Sequence, residues 1–399
     1  MTEVTIQIFS GNFLDKAVQY EAVEKRLIFL LSRIPVSKVI MGWAADRELY
    51  QKTAEFLAKR NIDFYLWFPV FSETGALEDL SPLVDIREKR LESRSNEEFS
   101  FCCPNQKNVK KILSVFEREF SSVYFDGIFL DRIRYPSFAN RYGHAGVLSC
   151  FCRECRDFYK RKNFNIENIK AALSVPESDI FAVTGYLGNG KYTYSNTALQ
   201  VLLRLKAEII HKSMEQICSF FRERNYGIGF DVFAPYLAPF TGQDLLSLSG
   251  LCDFIKPMMY RATNAPAGLP FETDALLRQT GIMASPSMME QKQNFNKMMH
   301  INQIETKSET SKPEKNSFNL SFAARELKCF CAVSACPVYA GIEINRVKKF
   351  AETDPAYIEE TINAYAKTGI RGLALSWNLL EMPKDNIEKT AEMIANLNL

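Results

Sequence analysis

Residues 125–136 read Phe-Asp-Gly-Ile-Phe-Leu-Asp-Arg-Ile-Arg-Tyr-Pro, a short apolar run that breaks into charge at Asp131. An apolar run of this length is typical of a strand that is buried on both faces, as in a parallel sheet covered by helices. The functional groups of α/β enzymes gather where such strands end and their loops begin. The sequence therefore predicts a parallel α/β fold, with Asp131 and Arg134 beside its functional site.

Apolar runs and amphipathic segments alternate along the chain. Apolar residues at three- and four-residue steps, such as Val109, Ile112 and Phe116, predict helices between the apolar runs. Eight strands that alternate with helices predict a (β/α)8 TIM barrel. A doubly wound open sheet is the alternative, but the Ser-Gly-Asn after the first strand lacks the spacing of a dinucleotide-binding fingerprint. The expected strands are residues 4–9, 38–43, 64–71, 127–131, 226–233, 253–260, 338–345 and 371–377.

Two segments interrupt this alternation within what we expect to be one barrel domain over residues 1–399. Residues 137–199 are too long for an ordinary βα loop, and we expect this insertion after the fourth strand to build one wall of the site. Residues 291–317 are rich in Lys, Asn, Glu and Ser, which predicts a solvated polar insertion before the seventh strand.

Composition and charge argue against several classes of protein. The chain has 49 Lys and Arg against 47 Asp and Glu, a net charge of +2, so no basic footprint for nucleic acid or an anionic membrane is present. We find no apolar run of membrane-spanning length and no signal-peptide pattern, which predicts a cytoplasmic protein. We expect a neutral substrate and no organic cofactor. Whether the chain forms a homo-oligomer stays open.

Cysteines crowd in one short segment. Cys150, Cys152 and Cys155 lie within six residues, and a fourth thiol can come from Cys102 or Cys103 after the third strand. Four thiolates at about 2.3 Å from zinc close a tetrahedron and leave no open position, so such a zinc is structural. Buried free thiols are the alternative, but the spacing favours the metal.

Carboxylates stand at the C-terminal ends of the predicted strands. Asp131 ends the fourth strand, and Glu343 lies near the end of the seventh. In a closed barrel both positions converge on one face. Paired carboxylates divide the acid and base work of glycosidic bond cleavage, so we predict that these two residues are catalytic. The alternative is that each carboxylate only pairs with a nearby Arg or Lys.

Aromatic and charged side chains near the same strand ends predict a sugar-binding surface. Sugar rings stack their apolar faces on aromatic rings, whereas their hydroxyl groups need polar partners. A core position is the alternative for each Trp, and a structural ion pair is the alternative for Asp231 and Lys256. The candidate substrate-binding residues are Trp43, Trp67, Arg134, Asp231, Lys256, Tyr260, Tyr339 and Trp377.

The motif that contains Asp131 resembles one from a known group of proteins. Residues 126–136 are similar to the fourth-strand motif Asp-Gly-Ile-x-Leu-Asp-x-Ile-Arg-Tyr-Pro of glycoside-hydrolase-like TIM-barrel proteins. The Cys-x-Cys-x-x-Cys segment also resembles the zinc cluster of family 42 β-galactosidases, in which one upstream Cys joins the triplet. This resemblance implies that Cys103 is the fourth zinc ligand.

The same resemblance bears on the catalytic residues. Glu343 corresponds in position to the nucleophile of the β-galactosidase clan. In that clan, however, the fourth strand ends in Asn-Glu, whereas this chain has Leu-Asp at residues 130–131. The roles of Asp131 and Glu343 as nucleophile or acid/base are therefore not assigned by the resemblance.

The sequence as a whole predicts a glycoside hydrolase that cleaves a neutral oligosaccharide or glycoside. Two alternatives remain at this point. One is a barrel that binds glycans without cleaving them. The other is a barrel lyase or aldolase-type enzyme that uses Lys256 as a base or as a Schiff-base amine.

Overall fold

The computed structural model describes residues 2–13, 17–73, 80–91, 100–140, 142–279, 288–299 and 318–397. Within them, eight parallel strands form one sheet that nearly closes into a barrel. All eight predicted strands and the TIM-barrel fold are thereby confirmed. The strands are β1 (Glu3–Phe9), β2 (Lys38–Gly42), β3 (Asp63–Pro69), β4 (Gly127–Asp131), β5 (Gly227–Val232), β6 (Phe254–Pro257), β7 (Tyr339–Glu343) and β8 (Gly372–Ser376).

Strand pairing runs around the barrel from β6 through β5, β4, β3, β2, β1 and β8 to β7. The last junction, between β6 and β7, consists of two isolated parallel bridges, Ile255 to Val338 and Met258 to Gly341. The other neighbouring strands share longer ladders, such as the five paired positions of β7 and β8. The β6–β7 seam is therefore the least extensively paired junction of the barrel.

Helices separate successive strands and bury their apolar faces. In the helix before β4, Val109, Ile112 and Phe116 are buried, as their spacing predicts. Asp354 caps the helix before β8, because its carboxylate accepts a hydrogen bond from the backbone N–H of Tyr357 at 2.9 Å. The helices are α1 (Tyr20–Leu31), α2 (Arg47–Ala58), α3 (Gln106–Glu119), α4 (Gly143–Leu148), α5 (Arg153–Arg161), α6 (Ile166–Ala172), α7 (Glu177–Ile180), α8 (Thr197–Arg222), α9 (Leu245–Ser249), α10 (Leu269–Gln279), α11 (Met288–Met298), α12 (Leu320–Cys331), α13 (Pro355–Tyr365) and α14 (Lys384–Leu397).

An aromatic layer fills the middle of the barrel. The rings of Phe129 and Phe254 stack with centroids 5.8 Å apart. Gly229 lies between them on β5, where an added Cβ would come within 2.3 Å of the Phe254 ring. Two residues further along these strands are Asp131 on β4 and Lys256 on β6. These polar groups therefore lie on the C-terminal side of the aromatic layer. The cluster comprises Ile40, Tyr65, Trp67, Phe129, Phe254, Tyr339 and Ala374.

The insertion after β4 has secondary structure of its own. It contains α4 to α7 and an antiparallel hairpin of Val183–Tyr186 and Tyr192–Tyr194. The hydroxyl group of Tyr192 donates to the backbone oxygen of Tyr236 at 2.7 Å, and its ring lies 5.0 Å from that of Phe240. The hairpin therefore packs on the segment that follows β5, at the C-terminal face of the barrel.

The predicted polar insertion is only partly described. Helix α11 runs through its first residues, so this part is helical rather than irregular, and residues 300–317 lie outside the described residues. Among the described residues, none of the helices has the length and apolar character to cross a membrane. The single domain and the cytoplasmic location stay predictions.

Candidate active site

Asp131 is held at the C-terminal end of β4 by two hydrogen-bond donors. Its carboxylate accepts from the indole N–H of Trp67 at 3.0 Å and from the backbone N–H of Arg132 at 2.5 Å. Arg132 has a φ of 54°, a left-handed conformation that is uncommon outside glycine. Its guanidinium group lies 4.0 Å above the ring of Trp43 and donates to Ser72 at 2.9 Å. Trp67 and Arg132 thus hold the carboxylate of Asp131, and the contacts of Arg132 with Trp43 and Ser72 hold the turn after β4.

Asp231 and Lys256 form a buried ion pair on neighbouring strands. The backbone register places them side by side, and the Lys256 Nζ lies 3.1 and 2.9 Å from the two carboxylate oxygens. The amine also donates to Gln7 at 3.0 Å and to the Tyr260 hydroxyl group at 2.6 Å. Burial raises the pKa of Asp231 to about 7, although the charge of Lys256 opposes this shift. The ion pair that the sequence offers as an alternative is therefore present.

Asp131 and Asp231 are neighbours at the same end of the barrel. The ladder between β4 and β5 pairs Leu130 with Phe230, so the next residues, Asp131 and Asp231, face each other across the two strands. Adjacent strands lie about 4.8 Å apart. The charge of Asp131 contributes to the raised pKa of Asp231. Asp231 is therefore a second carboxyl group close to Asp131.

Glu343, at the end of β7, is fully buried. Its Oε1 accepts from the backbone N–H of Ala262 and lies 3.5 Å from the hydroxyl group of Thr263. Burial raises the pKa of Glu343 to about 7, while the hydrogen bond from the backbone N–H of Ala262 opposes the shift. A carboxyl group with a pKa near neutral pH can donate a proton and accept it back.

Gln7 and Ser376 link Lys256 on β6 to the strand pair that carries Glu343. Ser376 is paired with Glu343 in the backbone register, and its hydroxyl group donates to Gln7 at 2.7 Å. Gln7 in turn accepts from Lys256. Our reading of the sequence missed both residues. The signal for Gln7 is a polar amide between the apolar residues Ile6 and Ile8 in a strand predicted to be buried.

Aromatic side chains lie beside Asp131. The ring of Trp43 is 5.5 Å from that of Trp67 and 5.1 Å from that of Phe9, which ends β1 and was not predicted as a site residue. Trp43 is only half-buried, as is Trp377 after β8. The backbone N–H of Trp377 donates to the side chain of Asn345 at 2.6 Å, which ties the loop after β8 to the end of β7.

Of the remaining candidate substrate-binding residues, Tyr339 lies apart from this group and Arg134 is buried beside it. Tyr339 begins β7, and its hydroxyl group donates to Glu3 at the start of β1, which is the N-terminal end of the barrel. Arg134 is buried after β4, donates to the backbone oxygen of Tyr135 at 3.0 Å and lies 4.3 Å from the ring of Phe233, and its charge interacts with Asp131 and Asp231. Arg134 therefore joins the loops after β4 and β5 from inside.

The predicted four-cysteine group is present. The sulfur atoms of Cys103, Cys150, Cys152 and Cys155 all lie within 4.8 Å of one another. Cys103 is 3.5 Å from Cys152 and 3.6 Å from Cys155. A tetrahedral zinc with bonds of about 2.3 Å places its sulfur ligands about 3.8 Å apart. The group therefore has the geometry to hold a metal ion, and Cys103 is its upstream member.

Comparisons with known proteins define the fold further. No protein-family model and no curated protein sequence matches the chain. Among solved structures, it is similar to the PgaB (BpsB) glycoside hydrolase domain from Bordetella bronchiseptica, with a TM-score of 0.57 and 13% identity over 100% of this chain and 98% of that chain. It is also similar to α-L-fucosidase isoenzyme 2 from Paenibacillus thiaminolyticus, with a TM-score of 0.53 and 9% identity. That match covers 100% of this chain and 49% of the fucosidase chain. At these identities the likeness shows the barrel fold that these glycoside hydrolases share.

Proposed function

We propose that this protein is a glycoside hydrolase that cleaves a neutral oligosaccharide or glycoside at the C-terminal face of its barrel. The observation that carries the proposal is the Asp131 carboxylate, which is oriented by two donors beside a group of Trp side chains. Carboxylates perform the chemistry of glycoside cleavage, and aromatic rings bind the apolar faces of sugars. The fold shared with two solved glycoside hydrolases supports this choice.

Asp131 and Glu343 are the proposed catalytic pair. The two hydrogen bonds to Asp131 orient its carboxylate to attack the sugar or to activate water. Glu343, with a pKa raised to about 7, suits the acid that protonates the leaving oxygen. Asp231 is the rival for the acid, because it faces Asp131 across neighbouring strands and also has a pKa of about 7. Its ion pair with Lys256 makes it the second choice.

The sugar is proposed to lie on the aromatic side chains of Trp43, Trp67 and Trp377. The buried side chains of Asp231, Lys256 and Tyr260 are proposed to form the floor beneath it, with the charge of Arg134 acting on Asp131 and Asp231. Tyr339 is not part of the proposed sugar-binding surface, because it lies at the opposite end of the barrel.

The lyase or aldolase alternative depends on a free amine at Lys256. A Schiff base forms from the neutral amine, yet Lys256 donates to both oxygens of a buried carboxylate and to Tyr260. Together with Gln7, these acceptors engage the amine, which has no exposed surface. The contacts of Lys256 therefore favour the hydrolase over the lyase.

The four-cysteine group is proposed to bind one structural zinc. Four thiolate ligands leave no open position for substrate, so this metal would take no part in the cleavage. Cys103 precedes α3, whereas the other three cysteines lie between α4 and α5 and in α5 itself. The metal would tie the loop after β3 to the insertion after β4.

A panel of aryl glycosides and neutral oligosaccharides tests the proposed function. The wild-type protein should release product from at least one member, and Trp43→Ala and Trp377→Ala should weaken binding of that member. Binding without any turnover would instead indicate a glycan-binding barrel. Trapping of a carbonyl compound on Lys256 by borohydride would indicate the lyase. Absence of both binding and turnover across the panel would also contradict the proposal.

A further inference from the structure

A second group of thiols lies at the other end of the barrel. The sulfur atoms of Cys252 and Cys336 are 3.6 Å apart, and both cysteines are free. Cys252 lies just before β6, and Cys336 lies just before β7. The pair therefore spans the N-terminal end of the β6–β7 seam, where only two isolated bridges join the strands. Asp131 lies at the opposite, C-terminal end.

The backbone around the two thiols is fixed. The hydroxyl group of Ser334 donates to the backbone oxygen of Cys336 at 2.8 Å. Ser249, in the helix before Cys252, accepts from the backbone N–H of Ala335 at 3.0 Å. These contacts hold the segment before β7 against the segment before β6. An S–S bond of about 2.05 Å requires the sulfur atoms to approach by only about 1.5 Å.

The two cysteines are also unequal in the way that disulfide exchange requires. Cys336 is half-buried, whereas Cys252 is 6% exposed, so a dissolved oxidant meets Cys336 first. The hydrogen bond from Cys252 lowers the pKa of Cys336, which favours its thiolate, and burial raises the pKa of Cys252. Thiolates are the attacking species in disulfide exchange.

We propose that Cys252 and Cys336 form a reversible disulfide that clamps the β6–β7 seam. With glutathione disulfide as oxidant, the Cys336 thiolate attacks one sulfur, forms a mixed disulfide and releases one glutathione thiolate. Cys252 then loses its proton and attacks the Cys336 sulfur, which releases the second glutathione. The two protein thiols lose two electrons and two protons, and glutathione disulfide becomes two molecules of glutathione.

This bond would act on the folded barrel and on the unfolded chain. It would cross-link the segments that lead into β6 and β7, the neighbouring strands that are joined by only two isolated bridges. It would also close a long loop of the unfolded chain, from position 252 to position 336, which restricts that chain and stabilises the folded state. The proposal is independent of the proposed glycosidase activity, because neither thiol lies near the C-terminal strand ends.

The full-length protein, loaded with zinc, is treated with glutathione disulfide and then alkylated and digested. Mass spectrometry should find the peptides of Cys252 and Cys336 joined with the loss of two hydrogen atoms. The midpoint of thermal unfolding should rise by several degrees, and dithiothreitol should reverse both changes. The Cys329→Ser/Cys331→Ser variant is the matched control and should keep the cross-link and the rise.

Cys252→Ala and Cys336→Ala should each lose the rise in the unfolding midpoint. Glutathione adducts without a joined peptide in the wild-type protein would overturn the proposal, and so would a joined peptide without a higher midpoint. The wild-type mass measurement does not depend on whether either variant folds.

Discussion

At the scale of single residues, Asp131 and Glu343 have different surroundings. Asp131 is 7% exposed and accepts from an indole and a backbone N–H, whereas Glu343 is enclosed by the loop after β6 and by α13. Burial without a bound cation favours the neutral form of a carboxyl group. Two carboxyl groups in such different environments can take the two roles that glycoside cleavage requires.

We expect Glu343→Gln to lower turnover at least about a hundredfold, since general acid–base catalysis contributes that much or more. In the wild type, the turnover number should fall as pH rises through about 7, where Glu343 loses its proton. The variant should lack that fall. If Glu343→Gln keeps a turnover close to that of the wild type, Glu343 is not the acid. If Asp231→Asn is the variant that loses the decrease in turnover above pH about 7, the acid is Asp231.

A buried carboxyl group outside the site predicts how stability depends on pH. Burial raises the pKa of Glu326 from 4.5 to about 7, although its hydrogen bond from Tyr186 opposes the shift. The folded state therefore binds more protons than the unfolded chain between these values, and stability falls as pH rises through that window.

Glu326→Gln should therefore lose less stability between pH 4.5 and 7 than the wild type does. Urea unfolding at the two ends of this range measures the difference. An unchanged pH dependence in the variant would contradict the raised pKa. Turnover is expected to stay unchanged, because Glu326 lies on α12 and is not one of the proposed catalytic or sugar-binding residues.

The sequence predicts candidate site residues where their position in a strand is enough to single them out. Asp131 and Glu343 interrupt apolar runs, which made them candidates, and the structure places both at C-terminal strand ends. Tyr339 also belongs to such a run, but it stands at the start of its strand, so its side chain lies at the other end of the barrel. The contact between Gln7 and Lys256 crosses the barrel, and no local pattern in the sequence encodes it.

At the scale of elements, β5 and β6 are joined by the Asp231–Lys256 ion pair. Asp231→Asn should destabilise the protein by about 3–5 kcal/mol, because it leaves the Lys256 ammonium group buried without its carboxylate. Asp231→Asn combined with Lys256→Met should recover much of that loss. Chemical denaturation measures both variants.

A matched control is Glu48→Gln, which breaks an exposed ion pair with Lys52 on α2 and should leave stability almost unchanged. A small loss in Asp231→Asn, similar to that of the control, would mean that the buried pair does not hold β5 and β6 together.

The four-cysteine group predicts a metal that joins two loops. Protein purified without added zinc should contain about one zinc per chain. Cys152→Ser should lose the metal and unfold at a lower temperature, but keep its turnover number at temperatures where it stays folded. Cys329→Ser, which changes a cysteine outside the group, should keep both the metal and the unfolding temperature of the wild type. A fully folded wild-type chain without metal would contradict the proposed zinc.

Helices and strands were predictable from the sequence where a helix is stable by itself or where every residue of a strand is buried. Strands such as β4 are buried on every side and so read as unbroken apolar runs. Helix α4 has six residues and is too short to be stable alone, so contacts with the rest of the insertion stabilise it. Helix α11 has little apolar periodicity, which is the pattern that would have predicted it. The inserted helices therefore could not be derived from periodicity.

At the scale of the whole molecule, the barrel brings together groups that are far apart in the chain. Gln7, Asp131, Asp231, Lys256 and Glu343 come from five of the eight strands and meet at one end because all strands are parallel. The alternation of strand and helix made this convergence predictable. The β6–β7 seam was not predictable, since pairing at that junction depends on backbone register. The shared fold does not by itself define the reaction, so the proposed function rests on these side chains.

The initial rate of glycoside cleavage by Asp131→Asn tests the proposed function most directly. The matched control is Asp63→Asn, the same substitution at the N-terminal end of β3, where Asp63 is half-exposed and lies 3.6 Å from Lys38. With a substrate that the wild type cleaves, Asp131→Asn should remain folded and bind sugar while its turnover falls at least about a hundredfold. Asp63→Asn should match the wild type. A folded Asp131→Asn protein with near-wild-type turnover would contradict the assignment of the active site.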